Sequence, residues 1–273
     1  MQKGGTVTQI DKVRSLDAST SRTRQILRIA REAFLQHGWD GFSIELIAEW
    51  MGCSRPLVYK HFPCKEEILL ALAIQSKARR VELAERAVLF RGRPREKMLA
   101  IGEVEVLLAP RDLPVELLVA STSLRAKTSR QRQDDLQALD VRAIGLTTSV
   151  VREAIADGDL TLPSKMCPED LTFVLWSSLW GAYNLILSDT PLQQAGVARP
   201  ELAQALSTAV MLDGYGWKPL SGEWNYKETR RRVHAEAFPP DLVARVLSSG
   251  EEVELDAPRE GSGHGDGNRR PKR

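Results

Sequence analysis

Apolar residues return at helical spacing from the first quarter of the chain onward. Ile26, Ile29, Ala30, Ala33 and Phe34 place one stripe on a segment from Ser21 to His37. Gly38 ends it, because the left-handed residue that follows a helix is usually glycine. Trp39 and Phe42 in the short connection are expected as core plugs. A second helix opens at Ser43, a good N-cap, turns Ile44, Ile47, Ala48 and Met51 inward and closes at Gly52. After the turn Met51-Gly52-Cys53, Ser54 caps a third helix with Pro56 in its first turn, where a missing N–H costs little. Val58 and Phe62, four apart, hold this helix to the other two and leave Arg55, Leu57, Lys60 and His61 mainly outward.

An unbroken helical pattern then runs from Lys65 through Ile68, Leu69 and Leu72 to about Phe90, too far to end with the N-terminal module. Further helices are expected from about Pro94 to Leu108, Val115 to Leu124, and Arg130 to Ala156, the last with Leu136, Leu139, Ile144, Val151 and Ile155 as its core. Prolines 110, 114, 163 and 168 and the Asp157-Gly158-Asp159 run punctuate these segments. Residues 168–188 are apolar nearly all round: Leu171, Val174, Leu175, Leu179 and Ile186 share one side, Phe173, Trp176, Trp180 and Tyr183 another. A helix of that kind needs a second surface, and a partner subunit is the economical one. A helix from about Pro200 to Leu212 carries Leu202, Leu206, Ala209 and Val210 as its stripe.

Nothing alternates long enough to argue a sheet, so the fold class is all-α. The division expected is a flexible basic arm over 1–20, a helix-turn-helix module over 21–66, a larger helical domain over 67–214, a helical extension over 215–248 and a disordered tail over 249–273. The tail is Gly-rich and polar and buries too little to offset its ordering entropy.

The long first helix, the glycine and the run SIELIAEWMGCSRPLVYKHFPCKEEIL resemble the TetR family of bacterial transcription regulators. That family's signature has a small-residue turn, a Tyr followed by an aromatic or His and then Phe, and a Lys opening the fourth helix. Here these are Gly52-Cys53-Ser54, Tyr59, His61-Phe62 and Lys65. The likeness covers roughly residues 21–72, with Cys53 and Cys64 as departures away from the outward set. It implies a two-domain homodimer whose last two long helices pair with those of a second copy. It further implies a repressor released from a near-palindromic double-stranded DNA operator by a small apolar or amphipathic effector. A TetR-like activator, an effector-independent regulator and a helical ligand-binding or scaffold protein without specific DNA binding are the alternatives.

On that reading Arg55 offers a bidentate fork to a guanine edge, and Pro56 and Leu57 meet thymine methyls. Tyr59, Lys60, His61 and Lys65 hold phosphates, helped by Ser43, Ser54 and the helix N-termini. Trp176, Trp180 and Tyr183 are the candidate effector pocket. Leu171, Leu175, Leu179, Ile186, Leu202, Leu206 and Val210 are the candidate dimer face.

Charge and composition agree with this outline. The net charge is only +2, yet residues 1–65 hold ten Lys or Arg against six Asp or Glu, which suits a polyanionic partner for that segment. The three cysteines, Cys53, Cys64 and Cys167, have no zinc-ligand spacing. There is no GxSxG, P-loop, HExxH or dinucleotide fingerprint, and the four histidines pair with no nucleophile, so an enzyme is not expected. No cofactor or metal is expected. With no apolar leader and no span of ~18 apolar residues, a cytoplasmic protein without membrane contact is expected.

Overall fold

The computed structural model describes residues 9–120, 122–188 and 190–248. Among the described residues the regular structure is all helix: α1 Gln9–Gly41, α2 Ile44–Trp50, α3 Arg55–Tyr59, α4 Lys65–Val88, α5 Pro94–Val119, α6 Thr122–Arg125, α7 Arg130–Ala156, α8 Pro168–Leu187, α9 Pro200–Gly214, α10 Tyr226–Ala237 and α11 Pro240–Ser248. None of these helices is long and apolar enough to cross a membrane.

Two differences from expectation have a backbone cause. α1 begins at Gln9, within the stretch read as a flexible arm, because no Gly or Pro interrupts residues 9–37. Residues 1–8 and 249–273 lie outside the described residues. At Gly38 the backbone leaves the helical path (φ 62°, ψ −169°), so the last turn of α1 is a separate piece. α5 runs through both Pro110 and Pro114 as one 26-residue helix, where two segments were expected. Each interior proline removes a backbone donor at a cost of about 3 kcal/mol. The buried side chains on either side, Leu107, Leu108, Leu113, Val115 and Val119, offset this by staying packed.

Three apolar clusters hold the helices together. The first joins Ile26, Ala30 and Phe34 of α1, Phe42, Ile47 of α2, Val58 of α3, Phe62, and Leu69 and Leu72 of α4, and it continues into Val115, Val119, Leu124 and Leu136. The N-terminal module therefore shares its core with α5, α6 and α7. The second lies between α4–α5 and the α10–α11 pair, with Leu83, Phe90, Val104 and Leu107 meeting Val233, Phe238 and Leu242. The third gathers Met98, Val150, Val151, Ala154, Leu171, Leu212 and Trp217. In α7 the core positions are Leu136, Ala143, Thr147, Thr148, Val150, Val151 and Ala154, while Ile155, expected inside, is exposed.

The extension after residue 215 is thus a cover for apolar surface on α4 and α5. Polar groups fix its register. Glu103 of α5, buried, accepts from Arg230 Nε and His234 Nε2, both at 2.8 Å. Arg95, also buried, donates to the Trp217 carbonyl and to Ser221 Oγ (3.1 Å), and its guanidinium lies 5.4 Å from the Tyr226 ring centroid. Burial pushes the Glu103 carboxyl up, but the hydrogen bond from His234 and the charge and hydrogen bond of Arg230 outweigh it, so its pKa is held below the ordinary 4.5.

Two outcomes follow from this packing. Phe238→Ala is expected to cost about 3–5 kcal/mol in denaturant unfolding, as for a core aromatic. The depressed pKa of Glu103 means that its contribution is fully present above pH 4.5 and is lost as pH falls through the lower folded value. Glu103→Gln should therefore separate from the parent in stability at neutral pH, and the gap should shrink on acidification below pH 4.5, read by urea midpoints at pH 7 and pH 3.5.

Candidate nucleic-acid interface

The turn between α2 and α3 is built by three local choices. Ser43 stands in extended backbone and its Oγ accepts from Leu46 N at 3.1 Å, which opens α2. Gly52 takes φ 61°, a value costly for a residue with a Cβ, and lets Cys53 N reach back to Ala48 O at 2.9 Å. Ser54 opens α3 through its carbonyl, which accepts from Leu57 N at 3.0 Å, while its hydroxyl makes no cap bond. The expected side-chain cap at Ser54 is absent.

With Val58 and Phe62 fully buried, the other side of α3 is turned to solvent. Ser54, Arg55, Pro56, Tyr59 and Lys60 are exposed, and Leu57, His61 and Ser43 are half-buried. The Arg55 side chain is 65% exposed, and its nearest charge is Glu45 of α2 at 3.5 Å. A contact that exposed is weak and leaves the guanidinium available. His61 Nδ1 lies 3.1 Å from Thr23 Oγ1, which brings the N-terminal part of α1, with exposed Arg24, alongside α3. Thr23 and Glu45 were not singled out from the sequence. The signal was the phase of Thr23, three residues before Ile26, where the buried apolar stripe begins.

Lys65 departs from the phosphate role expected of it. Its ammonium turns inward, donates to the carbonyls of Phe42 (3.0 Å) and Trp39 (3.3 Å), and sits 3.8 Å from the Trp39 ring centroid. It closes the connection between α1 and α2. Next to it, Glu66 pairs with Lys127 at 3.1 Å, and Glu67 takes Arg132 and the backbone N of Ser129 (2.5 Å). The Arg132 guanidinium also stands 5.0 Å from the Phe62 ring centroid. The start of α4 is thus held from both domains.

Comparison with known proteins places this module. The family model described as "Bacterial regulatory proteins, tetR family" matches residues 26–72. Residues 26–72 thus match the TetR family's N-terminal module. A curated relative, the HTH-type transcriptional repressor AcnR of Corynebacterium glutamicum, is 37% identical over 67 residues, 24% of this chain and 36% of the relative. The match thus spans about a third of that relative's length. A solved TetR/AcrR-family regulator from Thermobifida fusca is alike in fold over 71% of this chain and 98% of its own, with a TM-score of 0.54 and 22% identity. A SmeT–triclosan complex is alike over 70% of this chain and 91% of its own, with a TM-score of 0.50 and 19% identity.

In the larger helical domain, Trp176, Trp180 and Tyr183 come together, the two indoles 6.4 Å apart at 50°. With Leu179 they face Lys77 and Arg80 of α4 and Glu105, Leu113 and Glu116 of α5 across a cavity of about 10 Å³, room for one water. The wall opposite the aromatics is ionic. Lys77 Nζ is 3.1 Å from both Glu116 and Asp140. Arg80 bridges Glu105 and Glu116, the latter at 3.2 Å. Burial works against the charge of Arg80, but these two carboxylates raise its pKa above the ordinary value. Lys77, Arg80, Glu116 and Asp140 were not singled out from the sequence, and Glu105, whose carboxylate reads there as part of a solvated face, is instead paired with Arg80 and 15% exposed. Their signal was available, since Lys77 and Arg80 fall in phase with the buried Leu69, Ala73, Ala84 and Ala87.

The expected dimer set divides. Leu171 is wholly buried in the chain's own third cluster, Leu175 packs against it, and Leu179 lines the cavity, so these three face inward. Ile186 and Leu202 are half-buried, while Leu206 and Val210 are exposed, Val210 to 70%. Phe173, expected beside the tryptophans, is also 70% exposed. α8 and α9 pack together, with Gln204 Nε2 donating to Ser178 Oγ at 3.2 Å. On α8 the exposed Phe173, Ser177, Gly181 and Leu185 fall four apart, and on α9 Ala203, Leu206, Ser207 and Val210 do the same work, leaving an uncharged outer stripe.

Lys65→Met is expected to lower stability by roughly 2 kcal/mol, through loss of charge-assisted bonds to two carbonyls and of the indole contact. Chemical denaturation reads this, and a change within ~0.5 kcal/mol would show that the ammonium is not holding the loop.

Proposed function

We propose that the protein is a sequence-specific DNA-binding transcriptional regulator, a repressor, that reads a near-palindromic operator as a homodimer. The observation that carries this reading is the exposed set Arg55, Pro56, Tyr59 and Lys60 on a helix held from behind by Val58 and Phe62. Such a helix enters the major groove with its N-terminal residues toward the bases. Arg55 reads a guanine edge, Pro56 and half-buried Leu57 meet thymine methyls, and Ser43, Ser54, Tyr59, Lys60 and His61 bind phosphates. Lys65 supports this set from behind by holding the α1–α2 connection. The name of the matched relative, a transcriptional repressor, supports the sign of regulation.

Two copies joined through the uncharged α8–α9 stripe would present two reading helices, and one helical turn of DNA separates such half-sites. Release by a small effector is supported by the buried cavity under α4 and by the triclosan complex of a protein with a similar fold. A ligand that favours one position of α4 over another changes DNA affinity through that coupling.

The experiment is a footprint on the intergenic DNA beside the gene, followed by salt-dependent mobility shifts. Arg55→Ala should cost about 1–3 kcal/mol at one base position, while Lys60→Ala should weaken all sequences alike and reduce the salt slope by about one. Equal loss on specific and random DNA for Arg55→Ala would assign it to the backbone. Absence of any sequence-specific binding would remove the reading.

A further inference from the structure

We propose that the cavity between α4, α5 and α8 recognises organic cations, small amines with an apolar body, and that the ammonium of Lys77 occupies it as a built-in stand-in. The regulatory meaning of such binding rests on the reading above. The recognition chemistry does not.

The position of Lys77 Nζ shows what the cage accepts. It lies 5.4 Å from the ring centroids of both Trp176 and Trp180, so two negative indole faces look at one positive charge. It lies 3.1 Å from Glu116 Oε2 and 3.1 Å from Asp140 Oδ1. A cation is the species that both kinds of neighbour stabilise. An anion at the same place would meet Glu105, Glu116 and Asp140. A neutral body in place of the ammonium would leave the Glu116 carboxylate, 2% exposed, with Arg80, which it shares with Glu105, as its remaining cation.

The cage is incompletely satisfied as it stands. Glu116 Oε2 is buried and accepts no hydrogen bond even though Lys77 is near enough to pair in charge. A ligand ammonium can aim its N–H groups freely, which the tethered lysine does not. The two acids that hold Lys77 also differ in depth, since the Asp140 side chain is 32% exposed and that of Glu116 is nearly closed off. A flexible four-carbon stem lets Lys77 withdraw onto Asp140 and leave Glu116 and the indoles to the ligand. The present free volume, about 10 Å³, holds no amine until that withdrawal. Lys77 stands on α4, so its displacement acts directly on the helix that carries the N-terminal module.

The test is calorimetric titration of the full chain with phenethylammonium, 2-phenylethanol and 3-phenylpropionate, which share a phenyl body and differ in charge. The expected result is one amine per protomer, bound at least tenfold tighter than the alcohol or the carboxylate. Glu116→Gln should weaken the amine tenfold or more, and Lys77→Met, which removes the internal competitor, should tighten it. Opposite signs in the two variants cannot come from a shared folding defect. Equal affinity for amine and alcohol, preference for the carboxylate, no amine binding, or indifference to Glu116→Gln would each overturn the proposal. Operator binding is measured separately without amine, so its failure removes the regulatory reading and leaves the titration interpretable.

Discussion

A charge taken out of water has to meet its opposite, and α4 takes out four. Glu66, Glu67, Lys77 and Arg80 are all buried on this one helix. Each is matched from a different place: Lys127 and Arg132 at its start, Glu116, Asp140 and Glu105 further along. An unpaired ion in such a setting would cost several kcal/mol, so the partners fix the rotation of α4 as firmly as its apolar residues do. The opposing helices α5 and α7 are located by the same requirement.

This pairing explains why the two domains are mechanically continuous. The first apolar cluster passes from the N-terminal module into α5, α6 and α7 without a break. The ionic contacts at Glu66 and Glu67 lie at that crossing, and Arg132 lies against Phe62, the residue that holds α3 down. A displacement at Lys77 thus has a packed route to α3 through α4. The α10–α11 cover adds a second restraint on the same helix through Leu83 and Phe90.

The module itself was the most legible part of the chain. Apolar spacing, two positive-φ glycines and the Ser43 cap are local properties, and the helix-turn-helix follows from them. The outward exposure of Arg55, Tyr59 and Lys60 follows from the burial of Val58 and Phe62. What escaped was non-local. The inward turn of Lys65 depends on carbonyls 23 and 26 residues away, and the ionic lining of the cavity depends on charges from α4 and α5 being brought face to face. Apolar character gave the wrong side of α8 for Leu171 and Phe173, because an almost uniformly apolar helix has no polar face to mark its orientation. Prolines were read as stops in α5, where packing on both flanks outweighed the lost donors.

Those prolines give α5 a mechanical character that its length conceals. Pro110 and Pro114 leave the carbonyls of Val106 and Pro110 without their usual helical donors, so the rod is least stiff over this one stretch. Glu105 and Glu116, the two acids that grip Arg80, stand on opposite sides of it. The jaws of that grip therefore belong to two half-rods joined by a compliant segment, and a small change in their angle alters the span offered to a guanidinium on the neighbouring helix.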